Sequence, residues 1–189
     1  MKILPYLLIA AAICWIASEL IELLGGGRVP ASFWLTAAFH QAMVFGIWGA
    51  YLGQGARRSP LSLLGALLVS LGYLVLVYPP LAVADDPTMS ISEFMEAWPA
   101  YKAGAVAAVL GTILFGISVL GSRSYPRWIG FALVVCPVVF AGIIMSGAAG
   151  RVASGSMIAV NLVEAVALIA IGVRAHRVLG SVRTATGEI

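Results

Sequence analysis

The feature that most constrains this chain is an uncharged run from Ala31 to Gly53, ASFWLTAAFHQAMVFGIWGAYLG. Pro30 opens it, and Arg57 and Arg58 follow its end. A helix rises about 1.5 Å per residue, so a run of this length matches the roughly 30 Å hydrocarbon core of a bilayer. Similar runs recur along the chain. Of its 189 residues, 61% are hydrophobic and only 10% charged, whereas soluble domains usually carry about 25% charged residues. Such a chain cannot cover its surface in water, but it can in lipid. The expected fold is all-α: a polytopic transmembrane bundle of six helices forming one domain over 1–189, with the lipid bilayer as its first partner. The net charge of +3 sits mainly in loops at the ends of the runs. It therefore reads as an orientation signal, and no nucleic-acid partner is expected.

The first helix is expected over about 3–24. Lys2 precedes it as in a signal sequence, but the apolar run continues past Ala10, Ala11 and Ala12, where cleavage would fall. We therefore read it as uncleaved; cleavage would leave five helices. The other spans are expected over about 31–53, 60–81, 101–121, 126–148 and 155–173, with a tail at 174–189 disordered toward its end. Pro60 opens the third span at a first-turn position that proline tolerates, and Tyr78-Pro79-Pro80 closes it. Pro137 is expected to kink the fifth. Gly104 and Gly111, with Ala103 and Ala107, give the fourth a small-residue face for close packing. Cys14 and Cys136 lie inside apolar runs, which argues against a disulfide framework.

Val83 to Ala100 is the longest and most polar loop, with Asp85, Asp86, Glu93 and Glu96. Ser90 and Glu93 have capping-box spacing. Ile91, Phe94, Met95 and Trp98 follow at i, i+3, i+4 and i+7, on one helical face. This predicts a short interfacial helix between the third and fourth spans, lying on the bilayer with Trp98 at headgroup depth.

Orientation follows from the basic residues. With a cytoplasmic N-terminus, one side receives Lys2, Arg57, Arg58, Arg123, Arg127, Arg174, Arg177 and Arg183, and the other Arg28, Lys102 and Arg151. The positive-inside rule then places both termini in the cytoplasm, in a cell inner (plasma) membrane, with the acidic loop outside.

Ionisable groups inside spanning helices are costly and commonly carry function. Depths reckoned from the expected ends place Glu19, Glu22, His40, Gln41, Asn161 and Glu164 between the outer surface and the midplane. They are the candidate lining of an outward-facing polar pocket. His40 either holds a neighbouring backbone carbonyl or pairs with Glu164, a pairing that would lower the cost of burying both. The expected function is binding or accessory: a pocket for a lipid headgroup, a small amphiphile or a partner helix, with a homo-oligomer or another membrane protein docking on small-residue faces. One alternative is a small proton-coupled transporter, itself oligomeric. A second is a membrane-embedded metal-dependent hydrolase, since three carboxylates and a histidine could bind a metal and activate water. The chain has no His-Glu-x-x-His motif, no paired histidines and no spaced cysteine cluster. No metal, cofactor or catalytic residue is assigned, and the balance is against an enzyme.

The run FGIWGAYLGQGARRSPLSLLG after His40, and the turn Tyr125-Pro126-Arg127-Trp128-Ile129-Gly130, resemble those of a group of small bacterial multi-pass integral membrane proteins. The resemblance covers about Ala31 to Gly147. It implies a compact bundle of about six helices and carries over neither an activity nor site residues.

Overall fold

Each apolar run becomes a helix, because an uninterrupted apolar stretch in lipid must bond its own backbone. The computed structural model describes residues 3–25, 29–82, 93, 96–122, 124–145 and 155–185, and among these the regular structure is all helical. The main helices are α1 (Leu4–Gly25), α2 (Pro30–Gly53), α3 (Pro60–Leu76), α4 (Tyr78–Ala82), α5 (Pro99–Gly121), α6 (Arg127–Met145) and α7 (Gly155–Ala185), with a 3₁₀ turn at Gly55–Arg57. Five stretches are long and apolar enough to cross a membrane: Leu4–Gly25, Pro60–Ala82, Pro99–Gly121, Arg127–Ile144 and Met157–Ser181. They mark a multi-pass membrane protein.

Local chemistry sets the helix ends. Ser59 caps α3, its hydroxyl accepting from the Ser62 amide at 3.1 Å while the Ser59 amide donates to the Ser62 hydroxyl at 3.0 Å. Pro60 takes the first helical position, where its missing N–H costs nothing. At the far end, α3 stops at Leu76 and the chain resumes as α4 after Val77. Pro79 and Pro80 cause this break, since neither has an N–H to continue the ladder. By contrast, α6 continues through Pro137.

The helices run alternately up and down. We call the end where α1 finishes and α2 begins the upper end, and the opposite one the lower end. Packing follows a closed ring, α1–α2–α3–α5–α6–α7 and back to α1, with α2 also touching α7. The most extensive contacts are α1 with α2 and α3 with α5. Small residues allow the second. A Cβ on Gly72 would stand 2.5 Å from the Ala108 nitrogen, and one on Gly111 would stand 2.5 Å from the Val69 nitrogen. Gly104 and Gly111 thus form the expected contact face together with Ala108, whereas Ala103 is exposed and Ala107 half-buried.

The sequence reading requires one correction, and one of its expected spans is less apolar than the other five. The expected tail from residue 174 is helical to Ala185, as an unbroken continuation of α7. Ala175 is fully buried against Gly53, which anchors the continuation to the lower end of α2. In addition, α2 is not among the five apolar spans, although it has 24 residues. His40 and Gln41 lower its mean hydropathy. Within the expected interfacial helix, Ile91, Phe94 and Met95 lie outside the described residues. Trp98 is described: it precedes α5, half-buried, with its ring edge-on to Tyr78 at 6.3 Å.

Candidate binding site

The upper half of the ring interior holds two tiers of polar groups. The upper tier joins α1 to α7. Glu19 lies six residues before the end of α1 at Gly25, and Asn161 six residues after the start of α7 at Gly155, so antiparallel packing sets them level. The Asn161 amide donates to Glu19 Oε1 at 2.6 Å. Trp15, one turn below Glu19 on α1, donates its indole N–H to the same oxygen at 3.2 Å. Asn161 Oδ1 is buried and has no hydrogen-bond partner. Beside this tier, the Ser18 hydroxyl lies 3.0 Å from both the Ser32 carbonyl and the Thr36 hydroxyl, tying α1 to α2.

The lower tier centres on His40 and Glu164, and here the direct pair anticipated as one reading does not form. His40 Nδ1 is 2.7 Å from the Leu76 carbonyl. A carbonyl only accepts, so Nδ1 carries the proton. The reason lies in the α3 break. The Leu76 carbonyl would normally bond the amide four residues on, which is Pro80, a residue without an N–H. His40 supplies the missing donor. Its ring also lies 5.3 Å from Tyr73 and 5.3 Å from Phe39, and Phe39 stacks on Trp15 at 4.7 Å. An aromatic wall thus runs from the upper tier to the lower.

Glu164 is buried, one turn below Asn161 on α7, and makes no hydrogen bond or ion pair with the described residues. It lies within Coulombic range of the Tyr73 hydroxyl on α3 and the Cys136 thiol on α6. Tyr73 thus adjoins the His40 ring and lies within Coulombic range of Glu164. The remaining candidates separate: Glu22 is half-buried nearer the upper end, and Gln41 is exposed on the outer face of α2. Adjacent helical residues point about 100° apart, so His40 and Gln41 cannot both face the interior.

Tyr73 was not anticipated, and neither was a lower-end cluster of tightly held groups. Tyr125 donates its hydroxyl to the Ala50 carbonyl at 2.8 Å, and Ser124 donates to the Gln54 carbonyl at 3.1 Å. Arg174 Nε donates to the Ser124 carbonyl. Burial pushes the Tyr125 phenol well above its ordinary value, with Arg174 pulling the other way, so it remains a donor at neutral pH. The Gln54 side chain is 3% exposed with neither polar atom partnered. Only the Tyr-Pro-Arg turn hinted at this cluster in the sequence. Nearby, an open groove of about 570 Å³ is lined in part by Arg57, Ser59, Ser118 and Ser122.

Among the described residues, no group of three or more His, Cys, Asp or Glu is placed to hold a metal ion. Comparison with family models, curated proteins and solved structures returned no match.

Proposed function

We propose that this chain is a six-span membrane protein with both termini in the cytoplasm, and that it binds an amphiphile carrying a protonated amine in the upper half of its bundle. The observation that carries the reading is a surplus of acceptors. Asn161 gives its amide N–H to Glu19 and is left with a buried, unpartnered carbonyl oxygen. Glu164, on the same face one turn deeper, is also without a hydrogen-bonded partner among the described residues. Buried acceptors lacking donors are costly, and a ligand rich in N–H donors removes that cost. An ammonium group supplies three. The wall of Trp15, Phe39 and Tyr73 suits both an apolar chain and a cation over aromatic faces.

The test compares three probes of equal chain length, dodecylamine, dodecanol and dodecanoate, binding to the protein in nanodiscs against empty nanodiscs. Dodecylamine is expected to bind in excess of the empty discs, and Glu164→Gln to weaken it by about tenfold, since a buried charge-assisted contact commonly contributes at least that factor. Equal uptake of all three probes would overturn the reading.

A second reading, a proton-coupled transporter, is favoured by Glu164, Tyr73 and His40 following one another across three helices. Proteoliposomes loaded with a pH-sensitive dye distinguish the two. Proton movement that Glu164→Gln abolishes supports coupling; amine binding with no proton movement supports a binding protein.

A further inference from the structure

Gln41 poses a problem that the interior site does not solve. It lies eleven residues into α2 from Pro30, about 16 Å from the helix end, and is exposed. Contacts at both ends show that α2 runs the whole length of α1, a candidate span. Ser18 meets Ser32 at the upper end, and Gly49 meets Leu4 and Pro5 at the lower. Gln41 therefore sits near the middle of the hydrocarbon, too deep for its side chain to reach the headgroups. It makes no hydrogen bond with the described residues. A primary amide without partners in lipid is costly, because hydrocarbon offers neither donor nor acceptor.

The surface around it has a regular form. Trp34, Ala38, Gln41 and Phe45 are all exposed and recur at i, i+4, i+7 and i+11, making one stripe along α2. Ala38 lets another helix approach closely beside the amide.

We propose that this stripe is the interface with a second copy of the chain, in which the two Gln41 amides bond each other across a two-fold axis. Charge complementarity selects this occupant. An amide carries a positive NH₂ edge and a negative carbonyl in one group, so two copies related by a two-fold axis satisfy both at once. A partner helix of purely apolar residues would leave the amide unmet. The interface places α2 at the dimer centre and keeps His40, on another face of the same helix, inside each bundle. It also explains how α2, which is not among the five most apolar stretches, can be accommodated in a bilayer, since its polar residues then face either its own bundle or its twin.

The test uses the full-length protein in liposomes, with Cys14 and Cys136 replaced by Ala so that only introduced thiols react. Ala38→Cys is expected to form a disulfide-linked dimer on mild oxidation. Val106→Cys, 58% exposed on α5, serves as a random-collision control. Adding Gln41→Leu should weaken dimerisation about tenfold, the usual weight of two interhelical hydrogen bonds, and Gln41→Asn should retain most of it. Gln41→Leu places an apolar residue against lipid, and an unchanged thermal midpoint in detergent confirms that the fold persists. The proposal is overturned if Val106→Cys cross-links as well as Ala38→Cys, if Gln41→Leu leaves the dimer unchanged, or if single-molecule photobleaching counts one copy per particle. Cross-linking in native membranes solely to a different protein also overturns it.

Discussion

At the residue scale, the structure assigns His40 a definite task. Its Nδ1–H serves the Leu76 carbonyl, which two prolines have left without a backbone donor. Replacing it by alanine should cost about 1–3 kcal/mol, the penalty of a buried acceptor left unmet. That cost depends on Pro80. In a Pro80→Ala background, residue 80 regains an N–H and can bond Leu76 itself, so His40→Ala should cost markedly less. Unfolding of all four proteins in the same detergent measures the coupling. An equal cost in both backgrounds would show that His40 matters for another reason. Glu164 presents the opposite case, a carboxyl with no described partner, so Glu164→Gln should leave stability within about 0.5 kcal/mol of the parent while altering ligand binding.

These two residues also show what a sequence can disclose. That Glu19, His40, Asn161 and Glu164 lie in the same half of the bundle was readable from helix arithmetic. The partner of His40 was not readable, because it is a backbone carbonyl 36 positions away, freed by a local break whose position in space depends on packing. Gln41 was placed with the pocket by its depth, and depth does not tell which face of the helix a residue occupies. On a helix, one position separates the interior from the lipid.

At the element scale, small residues decide which helices pair. The α3–α5 contact depends on Gly72 and Gly111, where a Cβ would overlap a facing backbone nitrogen. Gly72→Ala should destabilise the bundle by about 1–3 kcal/mol through overpacking. Gly142 of α6, where an added Cβ meets nothing within 4 Å, provides the contrast. Gly142→Ala should be neutral or stabilising by up to about 1 kcal/mol, from helix propensity alone. Thermal unfolding of the pair separates the two effects, and similar losses at both sites would refute the packing argument. The small-residue face of α5 was legible from composition, but its partner was not, since close approach is a property of two helices. The extension of α7 was hidden for a related reason. Arg174, His176 and Arg177 read as a tail until Ala175 is seen buried against Gly53 and Tyr6 is seen within 3.1 Å of His176.

At the scale of the whole molecule, the status of α2 decides the topology. If only the five most apolar stretches cross the bilayer, the two termini face opposite sides; if α2 crosses as well, they face the same side. Hydropathy alone favours five, because His40 and Gln41 count against α2. The packing argues for six. Of the 24 residues of α2, eleven are buried, including His40, against five of 22 in α1. A helix so enclosed need not be apolar enough to insert by itself, since its neighbours carry the lipid-facing surface. It also lies along α1 from Ser32 to Gly49, so it shares whatever depth α1 has. The distribution of basic residues is eight against three whether five or six runs cross, with only Lys2 and Arg28 exchanging sides, so the packing decides. Reporter fusions at the two ends should therefore both report the cytoplasm. Fusions at residue 28 and at residue 56 should report opposite sides, because only α2 separates them. If those two positions report the same side, α2 does not span the bilayer and Gln41 loses its place at mid-depth. The dimer interface and the topology thus rest on the same helix, yet the fusions test its path without reference to any partner.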